Sequence, residues 1–207
     1  MTRLSQAEFE TILRLDVLSF AERVFYELNP QTPFERAPYI EVIAAKLEAC
    51  QQGKIKRLGI AIGPRSMKST LVSVAYVAWW LGHNPAARVV VVSYSQELAD
   101  KLARDCRRVM LSSWYQRLFP TRLLPSRQAV HDFVTTMQGG RFATSVGGSI
   151  TGFGGDLIII DDIMKAADAL SETIRKVTNQ WYHSSLLTRL NNQETGCIRS
   201  WPKAASR

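Results

Sequence analysis

The sequence predicts an α/β fold: a mainly parallel β-sheet held between helices in three layers, entered through an N-terminal helical segment. Three observations predict it. Runs 57–62, 88–93 and 157–160 are apolar along their length rather than alternating, as in strands buried on both faces of a parallel sheet. Segments with helical periodicity separate them. Two strand ends, residues 63–69 and 161–162, carry the glycine, lysine, hydroxyl and carboxylate groups, at the end where open parallel sheets bind ligands.

Taken in order, Ser5 and Glu8 form a capping box, and Phe9, Ile12, Leu13 and Leu18 continue it as one helix. A turn at residues 29–33, rich in Asn and Pro, precedes a second helix at 39–50. The run 57–62 reads as a buried strand that enters Gly63 and Pro64. A long apolar helix follows over 69–81, with Trp79 and Trp80 in the core. Asn84 and Pro85 break the chain before the β-branched strand at 88–93. Ser95 caps the next helix, whose apolar face is Leu98, Leu102, Cys106 and Val109, and Trp114 belongs to the core beyond it. Short strands around Gly139 and Gly140 form a hairpin within 133–146, and a loop with five glycines spans 147–155. The third buried strand, 157–160, ends on Asp161 and Asp162. Ser171 caps a last helix with Ile174, Val177, Trp181, Leu187 and Leu190 facing inward. The expected organisation is a helical subdomain at 1–52, a catalytic core at 53–198 and an aberrant tail at 199–207.

Composition narrows the class. Hydrophobic content of 46% in 207 residues supports a packed core without staples. A net charge of +8 suits contact with phosphates, and a solvated basic surface equally. The three cysteines are widely spaced, and His83, His131 and His183 stand alone, so no zinc-site spacing exists. The N-terminus is too polar for a signal peptide and the apolar run 71–81 too short to cross a bilayer. These features lead to the expectation of a soluble chain with reduced cysteines and no membrane partner.

Gly63, Pro64, Arg65, Ser66, Met67, Lys68, Ser69 and Thr70 lie between a strand and a helix, the context of a phosphate-binding loop. Backbone N–H groups there would curl around a phosphate at the positive end of a helix. Lys68 would neutralise β- and γ-phosphate oxygens and Ser69 would place a hydroxyl on Mg²⁺, with Thr70 one residue late for that role. Ile62 and Met67 stand where the usual glycines do, so Met67 is expected to keep a negative φ. At the third strand's end, Asp161 would hold Mg²⁺ through water, and Asp162 would orient the attacking water, one methylene shorter than the Glu often found there. Together these residues predict ATP and Mg²⁺ as cofactors and a P-loop NTPase three-layer sandwich, with Lys68 and Asp161 meeting at the top of adjacent strands.

The loop at 63–70 resembles the Pro-Arg-x-x-Lys-Ser loop of phage terminase large subunits, one subgroup of which has a large aliphatic residue at the Met67 position. The resemblance continues through Pro85, Arg88, residues 93–95, 118–120, 147–156 and 158–162, then Ser171, Trp181 and 187–190, covering about residues 20–197. It implies the ATPase domain of a motor that threads double-stranded viral DNA into a capsid, partnered by a small subunit and a portal in a homo-oligomeric ring. Within it Lys68 would bind phosphate, Ser69 and Asp161 Mg²⁺, Asp162 water, and Arg65 the γ-phosphate. Ile163 departs from the family's Pro. Beyond residue 198 the family continues into a strand and a nuclease domain, whereas residues 199–207 offer Pro and scattered charge, poor material for a central strand. The expectation is therefore a truncated prophage copy in the bacterial cytoplasm, frameshifted near its end, with an exposed apolar sheet edge and poor solubility. Two other readings stay open: an inactive remnant with nonspecific DNA affinity, and another P-loop DNA motor such as a helicase. Basic clusters at Lys54, Lys56 and Arg57, and at Lys101, Arg104, Arg107 and Arg108, suit DNA or a solvated face.

Overall fold

A computed structural model of the chain describes residues 4–63, 65–150, 152–165 and 167–192, and the backbone of 197–202. Helix α1 (Gln6–Leu15) starts on the expected capping box: Glu8 N donates to Ser5 Oγ at 3.3 Å and Ser5 N to Glu8 Oε2 at 2.8 Å. It ends sooner than the apolar spacing predicts. Asp16 is extended (φ −117°, ψ 112°), and its carboxylate accepts Ser19 N at 2.6 Å, starting α2 (Val17–Leu28) as a separate helix. A capping aspartate offers the backbone a local alternative to helix propagation, so the predicted single helix is two. Helix α3 (Pro38–Gln51) begins with a proline in its first turn. Val17 N donates to Glu48 Oε1 at 2.8 Å, joining α2 to α3.

The sheet has seven strands: β1 (Arg57–Ile62), β2 (Arg88–Ser93), β3 (Leu123–Gln128), β4 (Asp132–Thr135), β5 (Gly140–Ser145), β6 (Leu157–Asp161) and β7 (Cys197–Pro202), in the order β1-β7-β6-β2-β5-β4-β3. Strands β1, β7, β6, β2 and β5 run parallel, and β4 and β3 add antiparallel pairs at one edge. Two expectations are corrected here. β1 and β6 are not adjacent, because β7 lies between them, pairing Arg57 with Cys197 on one side and Asp161 with Ser200 on the other. Residues 199–202 therefore belong to a central strand, the predicted boundary at 198 falls inside it, and the edge expected beside β6 is paired. Pro202, opposite Ile62, lies past the last β6 pair at Ser200, so that strand asks no N–H of it. With β3 at the other edge, the strand left at this side's edge is β1. Of its residues Ile60 alone is buried, since α3 packs on one side of it and Arg57, Gly59 and Ala61 are exposed.

One hydrophobic cluster joins α1–α3 (Leu13, Phe20, Leu47) to one face of the sheet through Val89, Val91, Leu157 and Ile159. On that face lie α4 (Tyr76–His83), α5 (Gln96–Leu111) and α6 (Ser113–Leu118), the last of which, like β3, has no forecast in the sequence. The opposite face, Val90, Val92, Ile158 and Ile160, packs against Tyr182 and Leu186. Trp79 and Trp114 are core residues, 4% and 7% exposed. The helix expected over 69–81 opens as a π-helical turn, Thr70–Ala75, before α4. The last helix, α7 (Glu172–Trp181), carries the predicted Ser171 cap, with Ile174 N donating to Ser171 Oγ at 3.4 Å. Of the expected inner residues Trp181, Leu187 and Leu190 pack against the core, whereas Ile174 and Val177 are 39% and 61% exposed and Thr178, Tyr182 and Leu186 are the buried ones. A second π-helical turn follows at Tyr182–Leu186 and carries the buried Tyr182 and Leu186.

Among the described residues no helix is long and apolar enough to cross a membrane. Cys50 and Cys106 are buried, and loss of solvation pushes their thiols up to about 11 and about 12. Both are expected to resist alkylation at pH 8 until the chain unfolds, read peptide by peptide by mass spectrometry. The folded state holds these protons more tightly than the unfolded one, so stability should fall as pH rises from about 9 toward 11.

Candidate active site at the ends of β1 and β6

β1 delivers the chain at Ile62 into a tight loop of which Pro64 lies outside the described residues. Ser66 Oγ donates to Gly63 O at 2.7 Å, closing the loop on itself. Arg65 and Met67 both adopt left-handed backbone, φ 58° and 57°. The expectation of a negative φ at Met67 is thus corrected. Left-handed residues separated by one other curl successive N–H groups toward a common centre, the geometry of an anion nest. For non-glycine residues this costs roughly 1–2 kcal/mol each. Three of the four described non-glycine residues with positive φ, Arg65, Met67 and Asp162, surround this spot, a concentration of strain typical of functional sites.

Residues 65–70, with Gly63, Ile62 and Asp162, wall a cavity of about 300 Å³. Lys68 and Ser69 begin the helix that leads away from it. Lys68 is 7% exposed, and its ammonium donates to Asp162 Oδ1 and lies 3.5 Å from Asp161 Oδ1. Asp161, 0% exposed, accepts Ser73 Oγ at 2.8 Å through Oδ2. The predicted convergence of Lys68 on Asp161 is present although β7 separates the two strands. Strand pleat alone would send consecutive aspartates to opposite faces. The φ of 51° at Asp162 breaks that alternation, so both carboxylates reach one ammonium.

Ser69 and Thr70 are half-buried in the cavity wall, and the Ser69 hydroxyl has no partner among the described residues. Arg65 stands exposed at the rim, also without a described partner. Two carboxylates against one ammonium leave a net negative charge next to a free hydroxyl. Such a set fits Mg²⁺, which takes one or two carboxylates and keeps much of its water. Among the described residues no cluster of three or more acidic, His or Cys groups offers a full protein-only metal cage. Ser73 escaped the sequence reading, yet a signal existed: a lone serine inside the apolar run 71–81 is a buried hydroxyl, and most such groups find a partner. A second cavity, of about 270 Å³, lies at the opposite ends of the strands by Arg88, Gly140 and Phe153, where the charged pair Arg127–Asp132 is closed on itself at 2.9 Å.

No protein family matches this chain, and no curated protein does. Among solved structures it is similar to the crystal structure of the HK97 bacteriophage large terminase, with a TM-score of 0.61 and 17% sequence identity over 93% of this chain and 38% of that one. The chain therefore has a terminase-like α/β fold and spans well under half of that terminase's length.

Proposed function

We propose that the chain binds Mg²⁺-ATP in the cavity at 62–70 and hydrolyses it, as the ATPase part of a terminase-like motor acting on double-stranded DNA. The observation that carries this reading is the meeting of Lys68 with Asp161 and Asp162 above a strained loop that follows a parallel strand. In it, the loop N–H groups and Lys68 hold the β- and γ-phosphates, and Arg65 at the rim reaches the γ-phosphate. Ser69 and Asp161 hold Mg²⁺, which supplies charge neutralisation of the phosphates when bound. Asp162 releases Lys68 as the phosphates arrive and accepts a proton from the attacking water. A small subunit, a portal and a ring of copies are the partners this reading entails.

The test is saturable binding of a fluorescent ATP analogue in Mg²⁺, together with ATP turnover measured with and without duplex DNA. The reading expects both, with turnover raised by DNA; an absence of Mg²⁺-dependent binding would contradict it. The DNA side has its own test on the outer face of α5. There Lys101 pairs with Asp105 at 2.8 Å, Arg107 with Gln128 at 2.7 Å and Arg108 with the Glu27 carbonyl at 2.9 Å. Arg104 is exposed with no described partner, so it is the cation freest to meet a phosphate. Arg104→Ala should weaken duplex binding and reduce the slope of log K against log salt by about 0.9, the value for one lost phosphate contact. An unchanged slope would remove α5 from the interface.

A further inference from the structure

We infer that Ser73 is a positioning residue for Asp161, fixing which carboxylate oxygen is offered to the metal. This rests on the Mg²⁺-nucleotide reading above and deepens it. In the described structure the hydroxyl that meets the strand-end carboxylate is neither Ser69 nor Thr70, which line the cavity, but Ser73, in the next turn. Ser73 is 0% exposed, between Leu71, Val72, Val74 and Ala75, all 1% exposed or less. In that apolar setting its O–H has a single strong use, the 2.8 Å bond to Asp161 Oδ2. The π-helical turn at Thr70–Ala75 brings it there, because the wider turn gives position 73 a different azimuth from the one an α-helix running on from Ser69 would give.

The consequence is a division of labour between the two oxygens. A carboxylate rotates easily about its terminal torsion. Pinning Oδ2 to Ser73 stops that rotation and leaves Oδ1 on the Lys68 side, 3.5 Å from the ammonium. A hard cation held by one carboxylate oxygen, one hydroxyl and water gains most from such an outer partner. Ser69 is left free of Asp161 for the cation itself.

The experiment titrates Mg²⁺ against binding of the fluorescent ATP analogue in the unaltered protein and in Ser73→Ala, Ser73→Cys and Ser73→Thr, with thermal melting as the control for folding. Cysteine keeps the volume but is a weak donor, so it carries the test if alanine does not fold. Alanine and cysteine should raise the Mg²⁺ midpoint by about ten-fold, within the range usual for outer-shell partners. Affinity for the analogue in EDTA should stay within about two-fold, and threonine should restore the midpoint. A hydrogen bond that merely stabilises the fold would lower melting temperature and leave the Mg²⁺ midpoint where it was; that result, in a folded alanine or cysteine variant, overturns the inference and leaves the nucleotide reading standing. No Mg²⁺-dependent binding by the unaltered protein overturns both.

Discussion

Lys68→Ala is expected to abolish detectable nucleotide binding and turnover and to lower stability at the same time. The first effect follows from the loss of the buried Lys68 ammonium, which lines the cavity and would neutralise phosphate oxygens. The second follows from what is left behind: Asp161, fully buried, and Asp162, whose side chain is 31% exposed, would lose the ammonium that they share. Breaking a buried ion pair by removing one member costs about 3–5 kcal/mol, and the partial exposure of Asp162 favours the lower end of that range. At roughly 2–4 °C per kcal/mol for a chain of this size, melting should fall by about 6–12 °C. A double substitution, Lys68→Met with Asp161→Asn, separates the effects. It removes one charge of each sign, so most of the stability should return while binding stays lost. Binding recovered along with stability would mean that Lys68 acts through the fold and not on the nucleotide.

The other large effect has the opposite sign. Arg141→Met should stabilise the protein by about 1–4 kcal/mol, the range found when buried charges give way to apolar groups of similar size. Arg141 lies on β5, 1% exposed, and none of its three guanidinium nitrogens has a hydrogen-bond partner among the described residues. Its strand neighbours in register are Phe133 on β4 and Val89 on β2, with Ala99, Ala103 and Ala143 forming the small-residue contact of α5 with β5. Burial disfavours the charge and pushes its pKa down. Cys106, Asp100, Asp161 and Asp105 are close enough to act on it electrostatically without bonding it. The measurement is thermal and denaturant unfolding of the two proteins side by side. A loss of more than about 1 kcal/mol on substitution would show that the guanidinium is satisfied in solution, by internal water or an anion.

Arg141 also marks where sequence reading reaches its limit. The spans 57–62 and 88–93 match β1 and β2, and 157–160 falls within β6, because β-branched runs bounded by turn residues have few alternatives. The Ser95 and Ser171 caps hold for equally local reasons. Gly139 and Gly140 punctuate the hairpin under steric demand: a Cβ on Gly139 would meet Pro85 O at 2.4 Å. The meeting of Lys68 with Asp161 and Asp162 was legible because the loop after β1 and the end of β6 lie at the same end of a parallel sheet.

What was not legible depends on contacts distant in sequence or on unusual turns. Cys197–Pro202 has no strand pattern of its own, and its extended form comes from pairing with β1 on one side and β6 on the other. β3 contains Pro125 and is confined to the outer edge, where a missing donor is tolerated. Ser73 was missed because a period of 3.6 misplaces side chains once a π-helical turn is inserted, and Ile174 and Val177 are exposed because apolar spacing alone does not say how much of a helix the sheet covers. The left-handed backbone of Met67 is dictated by the loop around it and not by the residue, which would choose otherwise.

A crystal structure of the protein with Mg²⁺ and a non-hydrolysable ATP analogue decides whether the cavity after β1 holds nucleotide. The phosphates are expected in the cavity walled by residues 65–70, with the Lys68 ammonium moved from Asp162 onto phosphate oxygens and the metal held by Ser69 and Asp161. Nucleotide bound elsewhere, or a saturated crystal in which Lys68 still holds Asp162 and the cavity is empty, would contradict that expectation.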